Sequence, residues 1–256
     1  MAKIISVSGQ KGGCGKSTVT MILASTLAYK YAKKVIVVDA DTQHSITNIR
    51  RRNLELIKPY ETGEVDENGE KILDVDNYDI YNEFNSKNIP AYPVVKAKLD
   101  ADEILNIFDK TFDEYEYILL DLPGNVDSDA YFEIIQNADV VFVPFIVNPL
   151  DFDSNFPFVK LLHDELLGKD NTRLKSMYYF WNKFDVKSKA RQDLFEEMNK
   201  SLHDAMPNIV ELDNKITDTK TVINPRLMNT LVAPMSPQSS YGNMGVTIEE
   251  MCDKVL

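Results

Sequence analysis

The chain has 256 residues, 44% hydrophobic and 27% charged, with 28 lysines and arginines against 40 aspartates and glutamates, for a formal net charge of -12. This is globular composition with enough apolar residues for a sizeable core. An acidic chain repels phosphate backbones at long range, so overall charge excludes nucleic-acid binding by bulk electrostatics and leaves only a local basic patch to do it.

The first segment, Lys3 to Ser8 (KIISVS), is apolar and β-branched and reads as a strand. A glycine-rich turn follows, then a helical pattern from Lys16 to about Tyr31. The run VIVVDAD, Val35 to Asp41, ends in carboxylates and precedes a further helix that carries Arg50, Arg51 and Arg52. Residues 58–90 are polar and acidic and read as an excursion before a strand over Ala91 to Lys96. Asp100 is placed to cap a helix from Ala101 to about Phe112. Short apolar runs recur at Tyr117–Gly124, Val140–Phe145 and Met177–Asn182. Helical stretches lie at Asp127–Asn137, Phe152–Leu167 and Lys187–His203. Residues Asn214 to Pro237 are loop-rich, and a last helix spans Thr247 to Lys254. Continuous apolar runs suit strands buried on both faces of a parallel sheet. Strand alternating with helix predicts an α/β, doubly wound, mostly parallel sheet with helices on both faces, joined by right-handed crossovers. With no internal repeat and no linker, one domain over 1–256 is expected.

The strongest local signal is GQKGGCGKST, Gly9 to Thr18, between a strand and a helix. That is the context a phosphate-binding loop requires. Gly12, Gly13 and Gly15 let backbone N–H groups turn inward without Cβ clashes. Together with the helix N-terminus they cradle phosphate oxygens. The stretch Gly12, Gly13, Cys14, Gly15, Lys16, Ser17 and Thr18 is the expected nucleotide contact. Lys16 would reach the β- and γ-phosphates, and the Ser17 hydroxyl would ligate Mg²⁺. Asp39 and Asp41 end the second strand, where ligands of open α/β sheets bind; two carboxylates there suit Mg²⁺ and water. Asp121, in YILLDLPG, follows an apolar strand and would hold Mg²⁺ through water.

The strict G-x-x-x-x-G-K-[ST] pattern fails at Gln10. The order K-G-G-x-x-K-[ST], with the extra Lys11, instead resembles the deviant Walker A motif of the ParA/MinD family of ATPases, whose fold is that of three-layer P-loop NTPases. VVDADTQ resembles that family's D-x-D-P-Q, with Thr42 in place of proline. YILLDLPG resembles its D-T/S-P-P, with Leu122 and Gly124 departing. ADVVFVPFIVNPLDFDS and TLVAPMSPQSS resemble a later strand–helix pair and the loop beside the nucleobase. DTQHSITNIRRRNLE is similar to ParA-like proteins of plasmids and conjugative elements of Bacteroidales. The resemblance implies Mg-ATP as ligand and a homodimer when ATP is bound, with Lys11 reaching the partner's nucleotide. It also implies that Asp41 orients the attacking water and that Asp39 supports the metal shell. An adaptor protein, ParB-like or belonging to conjugation, would connect the ATPase to plasmid or mobile-element DNA.

Other signals carry less. NKFD, Asn182 to Asp185, looks like the guanine-reading N-K-x-D of GTPases. The match is short, so Asn182 is read as a nucleobase contact and ATP is kept as the nucleotide. Arg50, Arg51 and Arg52 read as a solvated helix face, because helical periodicity splays consecutive residues. Lys183, Lys187, Lys189 and Arg191 form a looser basic scatter that leaves direct DNA contact open. Cys14 reads as a space-filler. Two distant cysteines, Cys14 and Cys252, make neither a disulfide framework nor a zinc site, and His44, His163 and His203 show no ligand spacing. The start, MAKIISVSGQKGG, lacks a signal-peptide core. No apolar run reaches the length of a membrane span, and IEEMCDKVL is no basic amphipathic anchor. A cytoplasmic protein without membrane contact is expected.

Overall fold

The computed structural model describes all residues except 57–60, 66, 70, 74–83, 85, 87, 125–128, 218–229 and 232–242. The described strands are β1 (Lys3–Val7), β2 (Val35–Asp39), β3 (Glu61–Val65), β4 (Lys71–Leu73), β5 (Val94–Lys96), β6 (Tyr117–Asp121), β7 (Val140–Phe145), β8 (Ser176–Trp181) and β9 (Val210–Glu211). The helices are α1 (Lys16–Tyr29), α2 (Ser45–Leu56), α3 (Ala101–Thr111), α4 (Asp129–Ile135), α5 (Pro149–Glu165), α6 (Lys189–Ala205) and α7 (Met244–Val255). Seven strands form one sheet in the order β5-β2-β6-β1-β7-β8-β9. All of its pairings are parallel.

Alternation within the apolar runs divides the core between two faces. Ile4, Ile36, Val38, Ile118, Leu120 and Val141 pack with α3, α4, α5 and α6. Ile5, Val7, Val35, Val37, Leu119 and Phe142 pack with α1 and α7. Both faces are covered, which is why these strands read as continuous apolar runs rather than alternating ones. Helix α1 is buried almost all round, as expected for a helix that is apolar on every side. No helix among the described residues is long and apolar enough to cross a membrane.

Several boundaries differ from the sequence expectation. Asn148 caps α5 by accepting from Leu150 N and Asp151 N, with Pro149 in the first turn. The helix therefore starts three residues before Phe152, and the Asn-Pro pair is its start signal. Asp100 caps α3 through Glu103 N, as expected. Within 58–90, β3 and β4 pair antiparallel as a separate two-stranded sheet; the rest of the excursion lies largely outside the described residues. So do Pro225, Pro234 and Pro237 and most of the TLVAPMSPQSS segment.

Candidate functional site

The topology brings the ends of β1, β2 and β6 together at the centre of the sheet. The loop between β1 and α1 turns through Gly13 (φ 75°) and Gly15 (φ 99°), left-handed conformations that favour glycine. Its carbonyls are tied by side chains. Lys16 Nζ (3.0 Å) and Cys14 Sγ (3.1 Å) donate to Lys11 O. Lys183 Nζ donates to Gly13 O at 2.8 Å, and Asn182 Nδ2 to Cys14 O at 2.6 Å. A Cβ on Gly15 would collide with Asn182 Nδ2. At the loop's start, Gln10 N donates to Asn155 Oδ1 at 2.9 Å, and Asn155 is itself anchored to Pro144 O. With its carbonyls committed, the loop offers amide hydrogens to a ligand ahead of the α1 N-terminus, the arrangement of an anion-binding nest. A Cβ on Gly12 or Gly13 would meet nothing within 4 Å: these residues face open space.

Asp39 and Asp121 are in register on neighbouring parallel strands and fully buried. Asp39 Oδ2 accepts from Thr47 N (2.8 Å) and Thr47 Oγ1 (2.6 Å). Among the described residues Asp39 Oδ1 and both oxygens of Asp121 have no hydrogen-bond partner in bonding geometry. Burial pushes the Asp121 carboxyl up to about 7; Ser17 and Lys16 oppose this, while Asp39 and Asp41 reinforce it. Orphaned buried carboxylate oxygens beside a serine hydroxyl and a phosphate cradle fit a divalent cation held partly by protein and partly by phosphate. Among the described residues no three His, Cys, Asp or Glu side chains form a metal-binding group by themselves, so the phosphates would complete the shell. Asp41 lies in the turn after β2: its Oδ1 accepts from Gln43 N and its carbonyl from His44 N, both at 2.9 Å. His44 sits at φ 45° with Nδ1 3.9 Å from Asp39 Oδ1. It is thus part of the acidic centre, which its spacing in sequence did not disclose.

These elements border a groove of about 720 Å³. Of the expected residues, Gly12, Gly13, Gly15, Lys16, Ser17, Thr18, Asp41 and Asn182 line it. Cys14 is buried, its thiol pushed up by burial, and fills space as expected. Asp39 and Asp121 lie at the strand ends behind. The Lys11 ammonium forms a salt bridge with Asp151 at the start of α5.

The groove also draws in residues outside the expected set: Ser45, Asn48, Ile49 and Arg52 of α2, with Gly124, Lys183, Ile216, Thr217 and Met244. The α2 residues follow the 3-4-7 spacing of one helix face, a signal present in the sequence. The solvated-face reading of the three arginines needs correction. Arg50 is buried, its guanidinium 4.2 Å from the Tyr92 ring centroid and bonded to Thr230 O; Arg52 borders the groove; Arg51 is exposed. The expected splay over different faces holds. Gly124 packs so closely that a Cβ would lie 2.8 Å from Lys16 Nζ and 2.9 Å from the Lys11 carbonyl carbon. Of the basic scatter, Lys189 is paired with Asp193 and Arg191 with Asp185.

Comparison with known proteins agrees with this geometry. A family model described as an AAA domain (AAA_31) matches residues 2–155. An uncharacterised protein of Methanocaldococcus jannaschii is 26% identical over 233 residues, 85% of this chain and 86% of that protein. The septum site-determining protein MinD of Synechocystis is 27% identical over 177 residues, and the match spans 62% of its length. A Borrelia burgdorferi plasmid partition protein, solved with AMPPNP bound, superposes over all of both chains with a TM-score of 0.61 at 19% identity. The fold is accordingly the three-layer P-loop NTPase α/β fold of the ParA and MinD structures. The chain belongs to the AAA_31 family of AAA domains.

Proposed function

We propose that this chain, folded as one domain, binds ATP with Mg²⁺ in the groove and hydrolyses it slowly as a dimerisation switch. The switch would drive partition or positioning of plasmid or mobile-element DNA through an adaptor protein. The observation that carries the reading is the pairing of a glycine loop whose carbonyls are fastened by side chains with two in-register buried carboxylates, of which Asp121 interacts with Ser17 and Lys16 at the loop's end. Lys16 holds the β- and γ-phosphates, Ser17 with Asp39 and Asp121 holds the cation, and Asp41 orients the attacking water. Asn182 lies on the nucleobase side. When bound, Mg²⁺ neutralises charge that develops on the phosphate oxygens. The order Lys11-Gly12-Gly13-x-x-Lys16-Ser17 supports a deviant Walker A loop in which Lys11 leaves Asp151 and reaches the nucleotide of a second copy, stabilising transition-state charge as an arginine finger does.

The AMPPNP bound to the Borrelia protein supports an adenine nucleotide. The MinC:MinD complex of Aquifex aeolicus, a fold match with a TM-score of 0.57, supports a protein partner. A cytoplasmic setting follows from this reading. Phosphate release from ATP tests it: wild type should exceed Lys16→Ala, more so with partner present, and equal release would reject the enzyme. A second reading, a nucleotide-binding regulator of conjugative transfer with little hydrolysis, is favoured by Gly124, which seats the loop after β6 directly on the Lys11 carbonyl. It predicts nucleotide-dependent dimers without turnover.

A further inference from the structure

Arg52 borders the groove without an ion-pair partner among the described residues; Arg51, exposed and likewise without one there, does not line the groove. Arg173 is paired with Asp139 and Arg191 with Asp185. Arg50 is buried against Tyr92. Arg52 is exposed and has no ion-pair partner among the described residues, in a chain with 40 carboxylates. It borders the nucleotide groove from the same helix face as Ser45, Asn48 and Ile49. A guanidinium with no ion pair among the described residues, at the border of a phosphate-binding groove, has an anion as its natural complement.

Position along the helix separates Arg52 from the Asp41 end of the groove. Ser45 starts α2 four residues after Asp41, and both line the groove. Arg52 lies seven residues on, about 10 Å along the helix axis. A contact that far from the Asp41 end of the helix favours the α-phosphate over the γ-phosphate. Charge argues the same way: Asp39, Asp41 and Asp121 cluster at one end, while Lys16 and Lys183 are the groove's other cations among the described residues. A third cation offsets the acids that would otherwise repel a polyphosphate.

We infer that Arg52 is a nucleotide-binding residue that grips the α-phosphate end, the part common to di- and triphosphate. The inference rests on the nucleotide reading of the groove. Guanidinium and phosphate oxygens form two parallel charge-assisted hydrogen bonds, which lysine at the same site cannot reproduce.

Titration of fluorescent mant-ADP and mant-AMPPNP against wild type, Arg52→Ala, Arg52→Lys, Arg51→Ala and Lys16→Ala tests it. Arg52→Ala should weaken both nucleotides about tenfold, with Arg52→Lys recovering only part. Arg51→Ala, on the outer face, should match wild type. Circular dichroism melts should leave Arg52→Ala folded, since the side chain is exposed. Wild-type affinity in Arg52→Ala, or a loss confined to mant-AMPPNP, overturns the inference. Wild-type affinity in Lys16→Ala instead overturns the nucleotide reading itself.

Discussion

Gly124 shows how one absent methyl shapes the site. A side chain there would press on Lys16 Nζ, which can swing away, and on the Lys11 backbone, which cannot without distorting the phosphate loop. Gly124→Ala should therefore weaken nucleotide binding about tenfold, an overpacking cost on the order of 1–2 kcal/mol; unchanged affinity in a fluorescence titration would contradict that close packing. Lys11→Ala should keep nucleotide binding, because its ammonium faces Asp151 rather than the groove, and should lose phosphate release. At this scale the phosphate loop was fully legible, since its glycines and lysines follow one another in sequence. The partners that fasten it were not: Lys183 and Asn182 come from 170 and 168 residues away. Asn182, expected as a nucleobase contact, and Lys183 also brace the loop, a role that the NKFD match does not signal. Gly124 registered only as a departure from a motif.

At the scale of elements, α2 sends its arginines three ways. One face clamps Thr230, whose N–H and hydroxyl both donate to Asn53 Oδ1 at 2.9 Å in a buried site. Asn53→Ala leaves both donors unpaired and should cost about 2 kcal/mol, seen as a Tm lower by several degrees. The helix itself was legible, but the burial of Arg50 was not. It depends on Tyr92 and Thr230, which sequence distance hides. The β2–β6 pair carries a pH prediction. Asp121 has a raised folded-state pKa of about 7, against an ordinary carboxylate value near 4 when unfolded. The folded chain thus holds more protons between those values, and stability falls as pH rises from about 4 to about 7. In metal-free protein, Asp121→Asn should flatten that fall and raise Tm at pH 8 more than at pH 4. Added Mg²⁺ with nucleotide should stabilise wild type and not the variant. Parallel loss of stability with pH in both proteins would count against the buried, unpartnered carboxylate.

For the whole molecule, the parallel sheet was legible because both of its faces are buried and each central strand is a continuous apolar run. The two-residue β9 and the β3–β4 hairpin lacked that signal, being short and without a continuous apolar run. The order of strands sets β1, β2 and β6 side by side, so the loop and the two carboxylates converge although they are widely separated along the chain. One copy has Lys11 occupied by Asp151. In the proposed switch, a nucleotide shared between two copies would give that lysine a second counter-charge and would make assembly depend on the γ-phosphate. Light scattering on Asp41→Ala, which should bind ATP without hydrolysing it, measures this directly. The account predicts a doubling of mass with ATP and Mg²⁺ and none with ADP; an unchanged mass with ATP, at concentrations that saturate the groove, would contradict it.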